Sequence, residues 1–148
     1  QIQTKLCINR DLDGKNSGAR YRCLREIYKH HRRFFNKQYG DDEFFMLSAF
    51  QDHISGRPNE YLTGGTGLPA LIKWLEAQAD GDNCYVLSGR RKMRFIQPLL
   101  EYDADHWIGM NRVHDFQHYI PDPGVFLPFP IYFPGTAYNL NFVMKTEE

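Results

Sequence analysis

Five prolines crowd into one stretch near the carboxyl end, at positions 121, 123, 128, 130 and 134. Between them stand Val125, Phe126, Leu127, Phe129, Ile131, Tyr132 and Phe133. Each proline fixes φ and removes a backbone donor, so prolines this frequent exclude a helix or a central strand. The same residues are too apolar for a solvated linker. The pattern predicts an extended Pro/aromatic arm over residues 121–148. That arm packs either on the domain formed by residues 1–120 or on a protein partner.

The chain has 148 residues, of which 42% are hydrophobic and 15% aromatic, enough for one domain with a packed core. "TKLCI" (Thr4 to Ile8) reads as a short buried strand, and the turn residues Asn, Asp, Gly and Ser fill positions 9–18. A helix is predicted from about Ala19 to Lys37, with Leu24, Ile27, Tyr28, His31, Phe34 and Phe35 on one face. A second helix is predicted over Asp42 to His53, then a loop, then a helix opened by Pro69 with Leu71, Ile72 and Leu75 inward. "CYVLSG" (Cys84 to Gly89) reads as a buried strand. A helix through Met93, Ile96 and Leu100 is predicted from about Arg91 to Tyr102, kinked or shortened by Pro98. His106 to Met110 gives a short strand. This order predicts a single α/β domain, Rossmann-like, with a mostly parallel sheet. Sites in such sheets gather at the carboxyl ends of strands.

Eighteen basic and eighteen acidic residues cancel, so net charge selects no partner class. The three cysteines, Cys7, Cys23 and Cys84, are odd in number and far apart. That pattern points away from a disulfide scaffold or zinc site and toward an intracellular, reducing compartment, cytoplasm or organelle matrix. No run of apolar residues is long enough for a membrane-spanning helix, so no membrane partner is expected. A start at Gln1 with no secretory-signal pattern fits a processed product or an excised piece.

Asp11 and Asp13 flank Leu12 and precede Gly14. Two carboxylates so spaced after a strand are able to converge on Mg²⁺, or to divide nucleophile and general-acid roles. They are equally able to be an acidic turn. The spacing Asn9, Asp11, Asp13, Gly14 also opens like a calcium loop, but the twelfth position is Arg20, a cation where a bidentate glutamate is needed.

A strand ending in Asp-Leu-Asp-Gly is similar to the first motif of the haloacid dehalogenase-like phosphatases. "GLPALIKWLEAQADGDNCYVLSGRRKMRFIQPLLEY" resembles that family's second motif in context: helix, strand ending in Ser, Gly-Arg, helix. The resemblance implies that Asp11 is the phosphoryl-accepting nucleophile and Asp13 the general acid/base. It implies that Asp11, with the backbone carbonyl of Asp13, holds Mg²⁺. Ser88 would bind the phosphoryl oxygens, with Gly89 and Arg90 beside it, and Lys145 would complete the catalytic set. A phosphorylated substrate is then expected. Lys15 stands after the motif where the family has Thr or Val, and Asn9 and Arg10 stand before it where the family is apolar. Glu147 and Glu148 follow Lys145 at once, with no strand before an acidic cluster. A relative that kept the fold and lost catalysis therefore stands beside the active enzyme.

A second reading is carried by the helix at 19–37. Arg20, Arg22, Arg25, Lys29, Arg32, Arg33 and Lys37 crowd onto it, opposed only by Glu26. Such a face contacts phosphate backbones or an acidic partner, unless it is a solvated face balanced by Asp41, Asp42 and Glu43. Arg22, Arg25, Lys29, Arg32 and Arg33 are the candidate RNA contacts of a noncatalytic subunit in a larger assembly, such as a ribonucleoprotein. Tyr21, Tyr28 and Phe34 would add stacking or belong to the core. The run Arg90, Arg91, Lys92 and Arg94 either binds phosphate or opens a helix. His114 and His118, with Asp115 between, would make a metal face only on a helix. "TGGTG" (Thr63 to Gly67) lacks a Walker lysine, and no GxSxG supports a serine hydrolase.

Overall fold

The computed structural model describes residues 19–52, 54, 67–78 and 83–141. The first helix, α1, spans Ala19–Arg32. Leu24, Ile27 and His31 recur at three- and four-residue spacing and are all buried. Lys29, His30, His31 and Arg32 fill its last turn, where cations suit the exposed carbonyls. The chain then reverses through Asn36, whose Oδ1 accepts from Gln38 N (2.7 Å) and Tyr39 N (3.0 Å).

Helix α2 spans Asp41–Ser48. Asp41, Asp42 and Glu43 occupy its first turn, matched to the positive end of the helix, and Glu43 Oε2 accepts from Gly40 N at 2.9 Å. Every residue from Glu43 to Ser48 is buried, as its apolar sequence Phe44 to Leu47 demands. It ends five residues short of the expected His53, which lies outside the described residues. Helix α3 spans Gly67–Gln78 and buries Pro69, Ile72 and Leu75.

Strand β1 spans Tyr85–Arg94 and strand β2 spans Phe126–Asn139. They pair antiparallel, with Tyr85 opposite Asn139, Ser88 opposite Thr136 and Met93 opposite Phe126. A straight strand of this length would separate its ends by roughly 30 Å. Yet Phe95 N, just after β1, donates to Cys84 O, just before it, at 2.9 Å. The strand therefore doubles back on itself. The bend falls where the register slips, between Ser88 and Arg91, and Gly89 takes φ +60° there. Residues 129–135 of β2 pass around this bend, with Gly135 at φ +115°.

The expected Rossmann-like, mostly parallel sheet is thus corrected: among the described residues the sheet has two strands, and they are antiparallel. The predicted helix from Arg91 to Tyr102 is corrected with it. Residues 91–94 belong to β1, and only a short 3₁₀ turn, Gln97–Leu99, follows. Met93, Ile96 and Leu100 satisfy a helical stripe, while Met93 and Phe95 satisfy strand alternation. All four face the interior or its edge, so the pattern fits both structures and pairing with β2 selects the strand. The described part of the Pro/aromatic segment lies on this domain. Pro128 stands opposite Arg91 in the ladder, and the bulge between Phe133 and Thr136 takes up Pro134. Val125 and Phe126 enter the core.

Between the 3₁₀ turn and β2 runs a long irregular connection, yet Trp107, Ile108, Met110, Phe116 and Val125 within it are buried. Turn hydrogen bonds and side chains together satisfy its backbone. Gln51 donates to Ile108 O (2.8 Å) and accepts from Ile108 N (2.7 Å). Asp103 Oδ1 accepts from Asp105 N and Trp107 N. Asn111, only 2% exposed, donates to Asp115 O (2.8 Å) and accepts from Asp115 N (3.0 Å). Tyr102 makes an isolated bridge with Ile108 where a short strand over 106–110 was expected.

Candidate nucleic-acid interface

The face of α1 opposite its apolar stripe carries Arg22, Glu26, Lys29 and Arg32, all exposed. Side chains three and four apart share a helix face, so these form one ridge. Arg25 is half-buried beside it, and the exposed Arg33 and Lys37 continue it past the helix end. Lys29 lies 3.3 Å from Glu26, with the two side chains 63% and 67% exposed. An ion pair that open is weak and leaves the lysine available to a stronger anion. Arg20, at the start of α1, is not part of this ridge. It turns inward, lies 3.6 Å over the Trp107 ring, and donates to Asp52 O (2.9 Å), Asp105 O and His106 O (both 2.6 Å). Burial lowers its pKa, but neighbouring Asp52 opposes that shift. Arg20 is therefore structural: it holds the irregular connection against α1.

Along one flank of the ridge runs an aromatic ledge. Phe34 is 52% exposed, and its ring lies 5.5 Å from that of His30. His30 Nε2 donates to His118 O at 2.9 Å, and the two imidazoles lie 6.3 Å apart. Asp115 accepts from both the backbone N (3.1 Å) and Nδ1 (2.9 Å) of His118, which fixes that ring. Tyr119 beside it is 56% exposed.

The ledge is anchored from below by His31. Its Nε2 donates to Phe116 O (2.6 Å) and its Nδ1 accepts from Tyr39 OH (2.7 Å). That pair of bonds needs the neutral ring. Burial pushes the His31 pKa down to about 4, against the raising effect of the bond to Phe116. Burial also raises the pKa of Tyr39 well above its ordinary value, keeping its hydroxyl a donor. Adjacent histidines thus bond to two carbonyls of one loop, and Phe44 and Phe116 pack edge-on against His31.

Asp11, Asp13 and Lys145 lie outside the described residues. Ser88 is 5% exposed within β1, opposite Thr136, and faces a small pocket lined by Met46, Phe50, Leu68 and Val86. Gly89 forms the bend, and the exposed Arg90 makes a long contact, 3.4 Å, to Pro130 O. The other cations of that run have protein partners: Arg91 pairs with buried Glu43, Lys92 lies 4.1 Å over the Tyr85 ring, and Arg94 Nη1 lies 3.4 Å from Gly124 O. Among the described residues no three His, Cys, Asp or Glu side chains gather as metal ligands. His114 takes φ +52° in the irregular connection and lies 3.3 Å from Glu101, so it and His118 are not on a helix face.

Sequence periodicity assigned Phe34 to the buried stripe. The helix stops at Arg32, so Phe34 leaves that face and stands beside the cations. His118 entered the sequence reading only as half of a His114–His118 metal pair, and no local signal in the sequence brings it to His30 of α1. Comparison with protein families, characterised proteins and solved structures returns no match.

Proposed function

We propose that this protein is a noncatalytic, RNA-contacting subunit of a larger assembly and that the outer face of α1 meets the phosphate backbone. The observation that carries the reading is the row of exposed cations, Lys29, Arg32, Arg33 and Lys37 with Arg22, on and just beyond the outer face of α1. A neutral chain that concentrates cations on one helix face concentrates its field there, and phosphates gain by displacing counterions at that face. The opposite side of α1 is a buried stripe, so the backbone that carries Arg22, Lys29 and Arg32 is held in place.

The phosphatase reading, with Mg²⁺ on Asp11 and Asp13, depends on residues outside those described. The described residue it would use, Ser88, stands in a mostly apolar pocket, so no observation there favours phosphoryl transfer over binding.

The test is RNA binding by the intact chain across a series of salt concentrations. Binding should weaken steeply with salt. Neutralising Lys29, Arg32 and Arg33 to Gln should lower the slope of log affinity against log salt by about 2, near 0.7 for each lost phosphate contact. Salt-independent binding, or none, would remove the RNA reading.

A further inference from the structure

The basic ridge and the aromatic ledge are two features of one surface, and together they discriminate between forms of RNA. A duplex offers only phosphates and sugars to a flat basic face, because its bases are stacked on each other. An unpaired strand offers base faces as well. Proteins that hold single strands join a row of cations to exposed aromatic rings on which bases stack. Phe34 has that placement. It follows Arg32 and Arg33 directly, projects where α1 has ended, and is more than half exposed. Its neighbours stiffen it without covering it: His30 touches one side, and His30 is itself tied to His118. Tyr119, equally exposed, follows His118.

We infer that this surface takes single-stranded RNA, with the backbone along Lys29, Arg32 and Arg33 and an unpaired base on Phe34. The inference rests on the proposed RNA-contacting function and adds its substrate class. A run of acidic side chains would meet the same cations but, unlike a base, lays no flat ring on Phe34. It is therefore the competitor that the experiment must separate.

The experiment measures binding of the full chain to three probes: a short oligoadenylate, a duplex of equal length and polyglutamate. Phe34→Ala should weaken oligoadenylate binding about tenfold and duplex binding by less than about twofold, with the salt slope unchanged. Phe34→Tyr, which keeps a ring, should bind the single strand as the wild type does. Arg32→Gln with Arg33→Gln should weaken single strand and duplex together. If Phe34→Ala leaves the single strand unaffected, or weakens strand and duplex equally, the inference is overturned while the RNA-contacting function stands. If polyglutamate binds as well as oligoadenylate and is equally insensitive to Phe34, an acidic protein is the partner and the inference fails. Wild-type binding to neither RNA overturns both.

Discussion

At the residue scale, His31 shows how one side chain joins distant parts of the chain. Its two ring nitrogens satisfy Tyr39 and Phe116 only while the ring is neutral. In the unfolded chain the same histidine titrates near 6.5, whereas in the fold burial holds its pKa at about 4. The unfolded state therefore binds more protons between those values. Its contribution to stability is complete above about pH 6.5, falls as the pH drops, and reaches its minimum near pH 4. The total loss is on the order of 3 kcal/mol. Urea midpoints measured across that range should fall for the wild type and change much less for His31→Gln, which keeps one donor and one acceptor. Equal midpoints at both ends of the range in the wild type would contradict this account. Phe34, three positions on, carries the opposite lesson. Its hydrophobicity marked it for the core, and one early helix end placed it outside.

At the element scale, β1 is held to α2 by a charge pair. Glu43 is 3% exposed and meets Arg91, while its second oxygen accepts from Gly40 N. Arg91 thus closes the amino end of α2 onto the sheet. Removing the cation would leave a buried carboxylate without its counter-charge. Arg91→Met should therefore destabilise the chain by about 3 kcal/mol, and Glu43→Gln with Arg91→Met should recover part of that loss. Chemical denaturation of the two variants checks this, and equal loss in both would show that the charge pair is not the cause. The basic run at 90–94 was legible as a cluster of cations. Its partners were not, because Glu43, the Tyr85 ring and Gly124 approach it only after β1 bends at Gly89.

At the scale of the whole molecule, the question is whether residues 121–148 are an arm or part of the body. Phe126 is 4% exposed, Val125 is fully buried, and Met93 pairs with Phe126 across the ladder. A two-stranded sheet stripped of one strand has no partner for its backbone and no independent stability. A chain cut after Pro121 should therefore lose cooperative unfolding and bind hydrophobic dyes. Near-ultraviolet circular dichroism and a dye-binding assay check this. A native-like spectrum would return the segment to the status of an arm.

The amino-acid sequence determined the local features of this protein. The apolar stripe and cationic face of α1, the acidic opening of α2, the strand at Tyr85 and the exclusion of helix over the prolines all follow from spacing and backbone chemistry. Tertiary structure alone decided the sheet and the candidate surface. Strand direction depends on which segments pair, and residues 85–93 found their partner more than thirty positions away in residues 126–139. Likewise Phe116 and His118 reach α1 through bonds from His31 and His30 that span more than eighty residues. Periodicity reports which side of an element is buried. It carries no information about what lies on the other side of the contact.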